Sequence, residues 1–290
     1  MSILVLGASG LLGNALFRVL SEKNNEQVFG TIRNEDLREF FIPNLSKNLL
    51  ILKDATNYIE LNRILDEISP KVVINCIALT KKATLELSDY ISIYSIFPRN
   101  LSSICLLRNI RFINISSDGV FSGNRGNYTE RDIPDATDFY GISKYLGESF
   151  GSNIVTLRTS IIGHELKSKS GILEWLLSQN NVCKGYAKYI FSGFPAIILS
   201  KIIRDEILTR PKLNGLFHLG SEPISKFNLL ELIAEKYDIK VKIISDDQIS
   251  INRSLEYQLF KNATGYIPPN WADMVDEMYS YKFGLERNYV

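Results

Sequence analysis

The sequence predicts an α/β protein, a doubly wound parallel sheet with a smaller α/β lobe interleaved into it. Three observations carry that expectation. Through the first half, short apolar runs alternate with amphipathic stretches, the pattern of strands buried on both faces and covered by helices. A glycine-rich turn directly follows the first apolar run. After residue 160 the periodicity loosens, yet no linker, low-complexity tract or internal repeat intervenes. A second lobe is therefore expected to grow out of the first.

Each element follows from its residues. "SILVLG" (2–7) is the first strand, and "GLLGNALFRVLSEK" (10–23) is helical by the spacing of Leu12, Leu16, Val19 and Leu20. "EQVFGTI" (26–32) and "LLIL" (49–52) are the second and third strands, and "YIELNRILDEI" (58–68) is a helix closed by Pro70. "KVVINCIA" (71–78), "RFINIS" (111–116) and "NIVTLRT" (153–159) are the fourth, fifth and sixth strands. Between the fifth strand and the helix of "FYGISKYLGE" lies a connection of 23 residues, "SDGVFSGNRGNYTERDIPDATDF". Structureless connections of that length are uncommon in compact domains and are often functional. Asp138 is placed to cap the helix that follows. "GILEWLLSQ" (171–179), "AIILSKIIRDEIL" (196–208) and "SKFNLLELIAEKY" (225–237) read as helices, and "GLFHLG" (215–220) as a strand. Trp175 sits among leucines at helical spacing and is expected to pack in a core or an interface.

Composition narrows the class. The 290 residues are 45% hydrophobic and 22% charged, an ordinary soluble globular balance. That length allows one large domain or two sharing a cleft. Lys plus Arg number 33 against 32 acids, so nothing global attracts nucleic acid or an anionic membrane. The pair Lys81-Lys82 reads as solvated surface. Cys76, Cys105 and Cys183 are too few and too scattered for a disulfide framework or a structural zinc site, and no metal is expected. Cys76, inside "VVINCIAL", is expected as a small buried side chain. "MSILVLG" enters a strand directly, without a secretory h-region. No run approaches the roughly 18 apolar residues of a membrane helix, so the cytoplasm is the expected location. His164 and His218 have no acidic partner at metal or triad spacing and are expected in structural or surface roles.

The glycine turn is the first functional signal. In "GASGLLG", Gly7, Gly10 and Gly13 follow a strand and open a helix. Such glycines permit a tight turn and close approach of a pyrophosphate, while the helix N-terminus offers free N–H groups. In this context the pattern is that of an NAD(P)-binding Rossmann fold. Folds that prefer NAD usually place a carboxylate at the end of the second strand. Here "GTIRN" supplies Thr31 and Arg33 and no acid, which suits the 2′-phosphate of NADPH, with NADH as the alternative. The Rossmann domain is expected at 1–160 plus about 187–222, and a substrate-binding lobe at about 161–186 plus 223–290.

Two of the 14 tyrosines precede a lysine by four residues, Tyr140 before Lys144 and Tyr257 before Lys261. On a helix that spacing sets phenol and ammonium on one face, so position must separate the two pairs. Hydride transfer to a ketone leaves charge on oxygen and calls for a proton donor and a hydrogen-bond partner. A tyrosine titrates near pH 10, and a neighbouring ammonium is expected to lower that value. Lys144 is placed to do this for Tyr140, and Ser117, just past the fifth strand, to hold the substrate oxygen. Strand ends opening onto a crevice are where such folds bind ligands. Tyr257, in "SLEYQLFKN", follows no such strand and reads as a packing residue. Arg158, at the end of the sixth strand, suits either a nucleotide phosphate or an acid partner, and both readings stay open.

"GASGLLG", "INCIALT", "NISSDGVFSG", "YGISKYLGE" and "LRTSIIG", in this order, resemble the extended short-chain dehydrogenase/reductases. Within that group they are similar to the dTDP-4-dehydrorhamnose reductase-like, or RmlD-like, family. With "FSGFPA", "GLFHLGS" and "FNLLELIAEKY" the resemblance covers most of the chain. It implies a cytoplasmic NAD(P)H-dependent oxidoreductase of polysaccharide biosynthesis, reducing a nucleotide-linked 4-keto-6-deoxy sugar, with a homodimer as a candidate assembly. By position it implies Ser117, Tyr140 and Lys144 as the catalytic set, Lys144 also holding the nicotinamide ribose. It implies Gly7, Ser9, Gly10, Leu11, Leu12 and Gly13 at the pyrophosphate, and Asp54 and Ala55 near the adenine. Ile77, Ala78, Leu79 and Thr80 would pass under the cofactor, with Asp118 and Ile161 on the substrate side.

The departures fall on the sugar side. Gly119 stands where the family commonly has tyrosine, Leu79 where it has histidine, Ile161 where it has tryptophan and Phe191 where it has glutamine. Dehydratases of the group carry an Asp-Glu pair beside the catalytic Thr, whereas Asp118 is followed by Gly119. An NAD-dependent epimerase of the same scaffold remains an alternative. So does a non-catalytic regulatory subunit, because a relative serves methionine adenosyltransferase in that role.

Overall fold

The computed structural model describes residues 1–22, 26–79, 86–167 and 169–282. Strands β1 (Ser2–Leu6), β2 (Gln27–Ile32), β3 (Leu49–Ile51), β4 (Val72–Asn75), β5 (Arg111–Ile115) and β6 (Ile154–Arg158) join Gly215–His218 in one sheet. The seven strands run Gly215–His218, β6, β5, β4, β1, β2, β3, and every pairing is parallel. The order reverses between β1 and β4, so a crevice opens there at the strands' carboxyl ends. This is the doubly wound α/β fold.

The alternation of side chains along β1 shows why both faces must be covered. Ile3 and Val5 enter one core with Leu16, Phe17 and Leu20 of helix α1 (Leu11–Ser21). Leu4 and Leu6 enter the other with Leu61 and Leu65 of the Tyr58–Ile68 helix and Phe97 and Leu101 of the Phe97–Leu107 helix. All four residues of β4 and all five of β6 are buried. Period-two strands sandwiched in this way read as continuous apolar runs.

The later chain adds three small sheets. Tyr189–Phe191 pairs antiparallel with Ile224–Ser225 and parallel with Ile251–Asn252. Asn181–Tyr186 pairs with Val241–Asp246, and Ile161–Ile162 with Phe194–Pro195. The helix Lys226–Lys236 is capped by the Ser225 hydroxyl, which accepts the Asn228 N–H at 3.1 Å.

Several elements differ from the expected ones. The fourth strand stops at Asn75, whose side-chain oxygen accepts the Ile77 N–H and turns the chain out of the sheet. Cys76 is consequently only partly buried. The helix around Trp175 is confined to Ile172–Leu177, with Leu173 and Leu176 in the core and Trp175 itself exposed. The stretch 196–208 is α-helical over Ala196–Ile202 and widens to a π-helix over Ile203–Ile207. The long connection after β5 is not structureless. It opens with a 3₁₀ turn over Asp118–Val120, stacks the rings of Phe121 and Tyr128 at 4.1 Å, and bridges Tyr128 to Leu255. A helical run with no counterpart among the expected elements spans Leu87–Leu107, π-helical in its Ile91–Ile96 section. Lys81 and Lys82 lie outside the described residues. Among the described residues no helix is long and apolar enough to cross a membrane.

Candidate active site

The glycine turn sits at the mouth of the switch-point crevice. Gly7 takes a φ of +78°, a conformation glycine adopts without strain. Its N–H donates to the Thr31 hydroxyl at 3.0 Å, and the Ala8 N–H donates to the Thr31 carbonyl at 2.8 Å. Thr31, buried at the end of β2, therefore braces the turn. A Cβ added at Gly13 would stand 2.1 Å from the Gly7 carbonyl oxygen, so only glycine lets α1 begin this close. Gly10 is the N-cap of α1 and supplies no side-chain cap, which leaves the N–H groups of Leu11, Leu12 and Gly13 to meet a ligand. Ser9 is half-buried and Gly10 lies exposed on the lip.

Other predicted cofactor residues surround this turn. Ile77 packs on Gly7, Ala78 is exposed and Leu79 half-buried, while Thr80 lies outside the described residues. Arg33 stands exposed past β2. One Asp54 carboxylate oxygen accepts both the Thr56 N–H and hydroxyl, at 2.8 and 2.7 Å, beside the buried Ala55. A cradle that a Cβ would fill and an uncapped helix N-terminus fit the pyrophosphate of a dinucleotide.

The predicted catalytic side chains converge at the end of β5. The Ser117 hydroxyl accepts the Gly119 N–H at 2.9 Å, donates to Asp118 Oδ1 at 3.2 Å, and reaches the Tyr140 phenol. Asp138 caps the Phe139–Leu146 helix as expected, its Oδ1 accepting the Gly141 N–H at 2.9 Å. A Cβ on Gly141 would come within 2.2 Å of the Gly119 carbonyl oxygen. The helix thus lies directly on the Asp118–Val120 turn, and this contact sets Tyr140 against Ser117. Gly119 is equally constrained, since a Cβ there would stand 2.9 Å from the Tyr140 ring.

The charges differ from the expected arrangement. Burial pushes the Tyr140 phenol above its ordinary range, and the group that opposes this is the Ser117 hydroxyl, not Lys144. Lys144 Nζ donates to the Ile115 carbonyl at 2.9 Å and lies 4.7 Å from the Tyr94 ring centroid. Burial lowers the Lys144 ammonium to about 8, while Cys76 and Glu148 hold it up. Asp118 is likewise raised by burial, against hydrogen bonds from Ser160 and Ser117 and the charge of Arg253.

Two residues joined to this centre carried no motif. Tyr94, in the π-helical section, accepts the Leu79 N–H at 2.9 Å and sets its ring edge-on to Tyr140 at 5.3 Å. It ties the segment past β4 to the Phe139–Leu146 helix. Glu148, only 1% exposed, accepts the Ser116 hydroxyl at 2.8 Å and two Arg158 N–H groups at 2.7 and 2.8 Å. Of the two readings of Arg158 the acid partner holds. Arg158 also contacts His218 at 3.3 Å, and burial pushes that imidazole down to about 4. His164 contacts the Tyr237 hydroxyl at 2.9 Å and has Glu174 at 3.5 Å from Nδ1, an acidic neighbour that the spacing did not mark. Ile161 is half-buried beside Phe194, Phe191 packs on Trp271 at 5.5 Å, and Tyr257 is only the N-cap of the Gln258–Thr264 helix.

A parallel sheet with a glycine turn at its switch point defines a dinucleotide-binding fold of the Rossmann class. Within it, the chain belongs to the RmlD substrate binding domain family, whose model matches residues 1–281. It is 35% identical over 147 residues to the probable low-salt glycan biosynthesis reductase Agl14 of Haloferax volcanii, covering 50% of this chain and 46% of that protein. It therefore spans about half the length of that relative. It is 24% identical over 260 residues to the methionine adenosyltransferase 2 subunit beta of Rattus norvegicus, covering 82% of this chain and 72% of that one. The crystal structure of dTDP-4-dehydrorhamnose reductase from Bacillus anthracis in complex with NADP superposes with a TM-score of 0.77 at 24% identity, covering 96% and 98% of the two chains.

Proposed function

We propose that this protein is a cytoplasmic NADPH-dependent reductase of a nucleotide-linked 4-keto-6-deoxy sugar. The observation that carries the reading is the convergence of Ser117, Tyr140 and Lys144 at the carboxyl end of the sheet, beside the glycine turn. The NADP complex of the Bacillus anthracis neighbour supports the choice of cofactor, and the exposed Arg33 past β2 favours NADPH over NADH.

When bound, NADPH supplies the hydride. The chain's own residues do the rest. Ser117 holds the carbonyl oxygen of the sugar, oriented by Asp118. Tyr140 delivers a proton to that oxygen, and Lys144 keeps a positive charge beneath the site. The lobe of about 161–186 plus 223–290 covers the sugar, with Ile161 on its wall.

The test is NADPH oxidation over a panel of 4-keto-6-deoxy nucleotide sugars, with products identified by NMR. Wild type should consume NADPH in step with product, which an epimerase would not. Tyr140→Phe should lose about 100-fold or more of turnover, the range of general-acid catalysis, with cofactor binding kept. Full activity in that variant would overturn the assignment. The regulatory reading draws on the 82% coverage by the methionine adenosyltransferase subunit. It would prevail if no sugar turned over and a pull-down returned a stoichiometric enzyme partner.

A further inference from the structure

We propose that Tyr94 is a positioning residue with two separable functions: its ring seats the Lys144 ammonium, and its hydroxyl fixes Leu79 in the segment that passes under the cofactor. The inference rests on the reductase reading, in which Lys144 and Leu79 border the dinucleotide. It concerns a residue that no motif marks.

The placement of Tyr94 is built into the fold. It lies in the π-helical Ile91–Ile96 section and is only 5% exposed. Such helical widenings occur often at functional sites. The next residue, Ser95, donates its hydroxyl to the Ser143 carbonyl at 2.9 Å. The Tyr94 carbonyl itself lies so near the following helix that a Cβ on Gly147 would stand 1.8 Å from its oxygen. The section is thus pinned along the helix that carries Tyr140 and Lys144.

The ring meets both of those side chains. Four residues apart, Tyr140 and Lys144 share one helix face, and Tyr94 is the aromatic on which that face rests. The Tyr140 ring stands nearly perpendicular to it at 5.3 Å, and Lys144 Nζ lies 4.7 Å from its centroid. A cation within roughly 6 Å of a ring centroid is attracted by the negative face of the ring. Other support for the buried ammonium is thin. It donates to the Ile115 carbonyl at 2.9 Å, and Cys76 and Glu148 also face it. Burial raises the Cys76 thiol to about 12, so it brings no charge at neutral pH. The Glu148 oxygens already take the Ser116 hydroxyl and two Arg158 N–H groups.

The hydroxyl acts on the opposite wall of the crevice. Burial pushes the Tyr94 phenol up, so it stays protonated, and its oxygen accepts the Leu79 N–H at 2.9 Å. Because β4 ends at Asn75, no strand ladder holds Leu79. One side chain therefore sets the distance between the cofactor-side segment and the Lys144 ammonium.

The experiment compares wild type, Tyr94→Phe and Tyr94→pentafluorophenylalanine. The two variants present rings of nearly the same shape, but fluorination removes the negative face. One readout is the titration of Lys144 itself, by NMR of protein carrying carbon-labelled lysine, with Lys144→Met to identify the signal. The other is NADPH affinity by fluorescence, measured well below that titration, with melting temperature as the control. Tyr94→Phe should titrate at Lys144 as wild type does and bind NADPH about 3- to 10-fold more weakly, the scale of one lost neutral hydrogen bond. Tyr94→pentafluorophenylalanine should show the same affinity loss, with Lys144 titrating about half to one and a half pH units lower than in Tyr94→Phe. Coincident Lys144 titrations in the two variants overturn the role of the ring, and wild-type NADPH affinity in Tyr94→Phe overturns that of the hydroxyl. An affinity loss accompanied by a fallen melting temperature assigns Tyr94 to the fold and overturns the proposal. Neither readout uses a sugar. If both effects are found but wild type reduces no keto sugar, the reductase reading fails alone. If a keto sugar is reduced and fluorination leaves Lys144 unmoved, this proposal fails alone.

Discussion

On the proposed mechanism, Lys144 is the residue whose charge sets the working pH of the site. Burial brings its ammonium down to about 8, and the anionic Glu148 is one of the groups that oppose the fall. The charge is therefore full below that value and lost as pH rises through it, so kcat/KM for sugar reduction should decline above about pH 8. Replacing Glu148 with Gln removes the opposing charge and should move the decline to lower pH, read from rate profiles of both proteins. An unmoved limb would mean that another group titrates. Because Arg158 would lose its carboxylate partner, a folded fraction must accompany the profile. Gly119 gives a second test at this scale. A methyl group there would stand 2.9 Å from the Tyr140 ring and 3.1 Å from Ser117 Oγ. Gly119→Ala should lower kcat about 10- to 100-fold by displacing Tyr140, the proposed proton donor, while cofactor affinity holds. Unchanged kcat would show that Tyr140 has room to spare.

At the scale of the element, legibility followed the number of faces a segment buries. The β1–turn–α1 unit was readable because the strand is apolar on both faces and the turn can be built only with glycine at Gly7 and Gly13. The Tyr140 helix was readable from its cap, Asp138. The Leu87–Leu107 run was not. Leu87, Ile91 and Ile96 are exposed, and the π-helical section breaks the 3.6-residue spacing. Tyr94 was invisible for that reason. The identity of Arg158's partner and the direction of the Tyr140 shift depend on burial, which spacing alone does not specify. One contact now joins the unread helix to the read one. A Cβ on Gly147, the C-cap of the Tyr140 helix, would stand 1.8 Å from the Tyr94 carbonyl oxygen. Gly147→Ala should therefore destabilise the protein by about 1–3 kcal/mol, the cost of overpacking, and move Tyr94 off Leu79 and Tyr140. Urea unfolding measures the first effect. A variant as stable as wild type would show that the two helices can part without cost.

Across the whole molecule, one buried imidazole links the sheet edge to the long connection that carries Ser117. His218 ends the edge strand beside β6, and its N–H donates to Glu130 at 2.8 Å. Its ring contacts the Tyr128 carbonyl through Nδ1 at 3.0 Å and Arg158 through Nε2 at 3.3 Å. Phe121 meets the same ring edge-on at 5.8 Å, and Arg158 lies 5.1 Å over Phe121. The residue is fully buried, and burial together with the Arg158 charge lowers its pKa to about 4 from 6.5. Between those values the unfolded chain binds a proton that the folded chain refuses. Stability from the neutral ring is thus complete above about pH 6.5 and is lost as pH falls toward about 4, in total about 3 kcal/mol. His218→Asn retains an amide donor for the Tyr128 carbonyl but has nothing to titrate. Between about pH 7 and about pH 5, urea unfolding should cost wild type about 2 kcal/mol more than the variant. Equal losses in the two proteins would mean that acid attacks the carboxylates of the network and leaves His218 out of it. A wild-type excess would locate the acid sensitivity at the joint between the sheet edge and the long connection after β5.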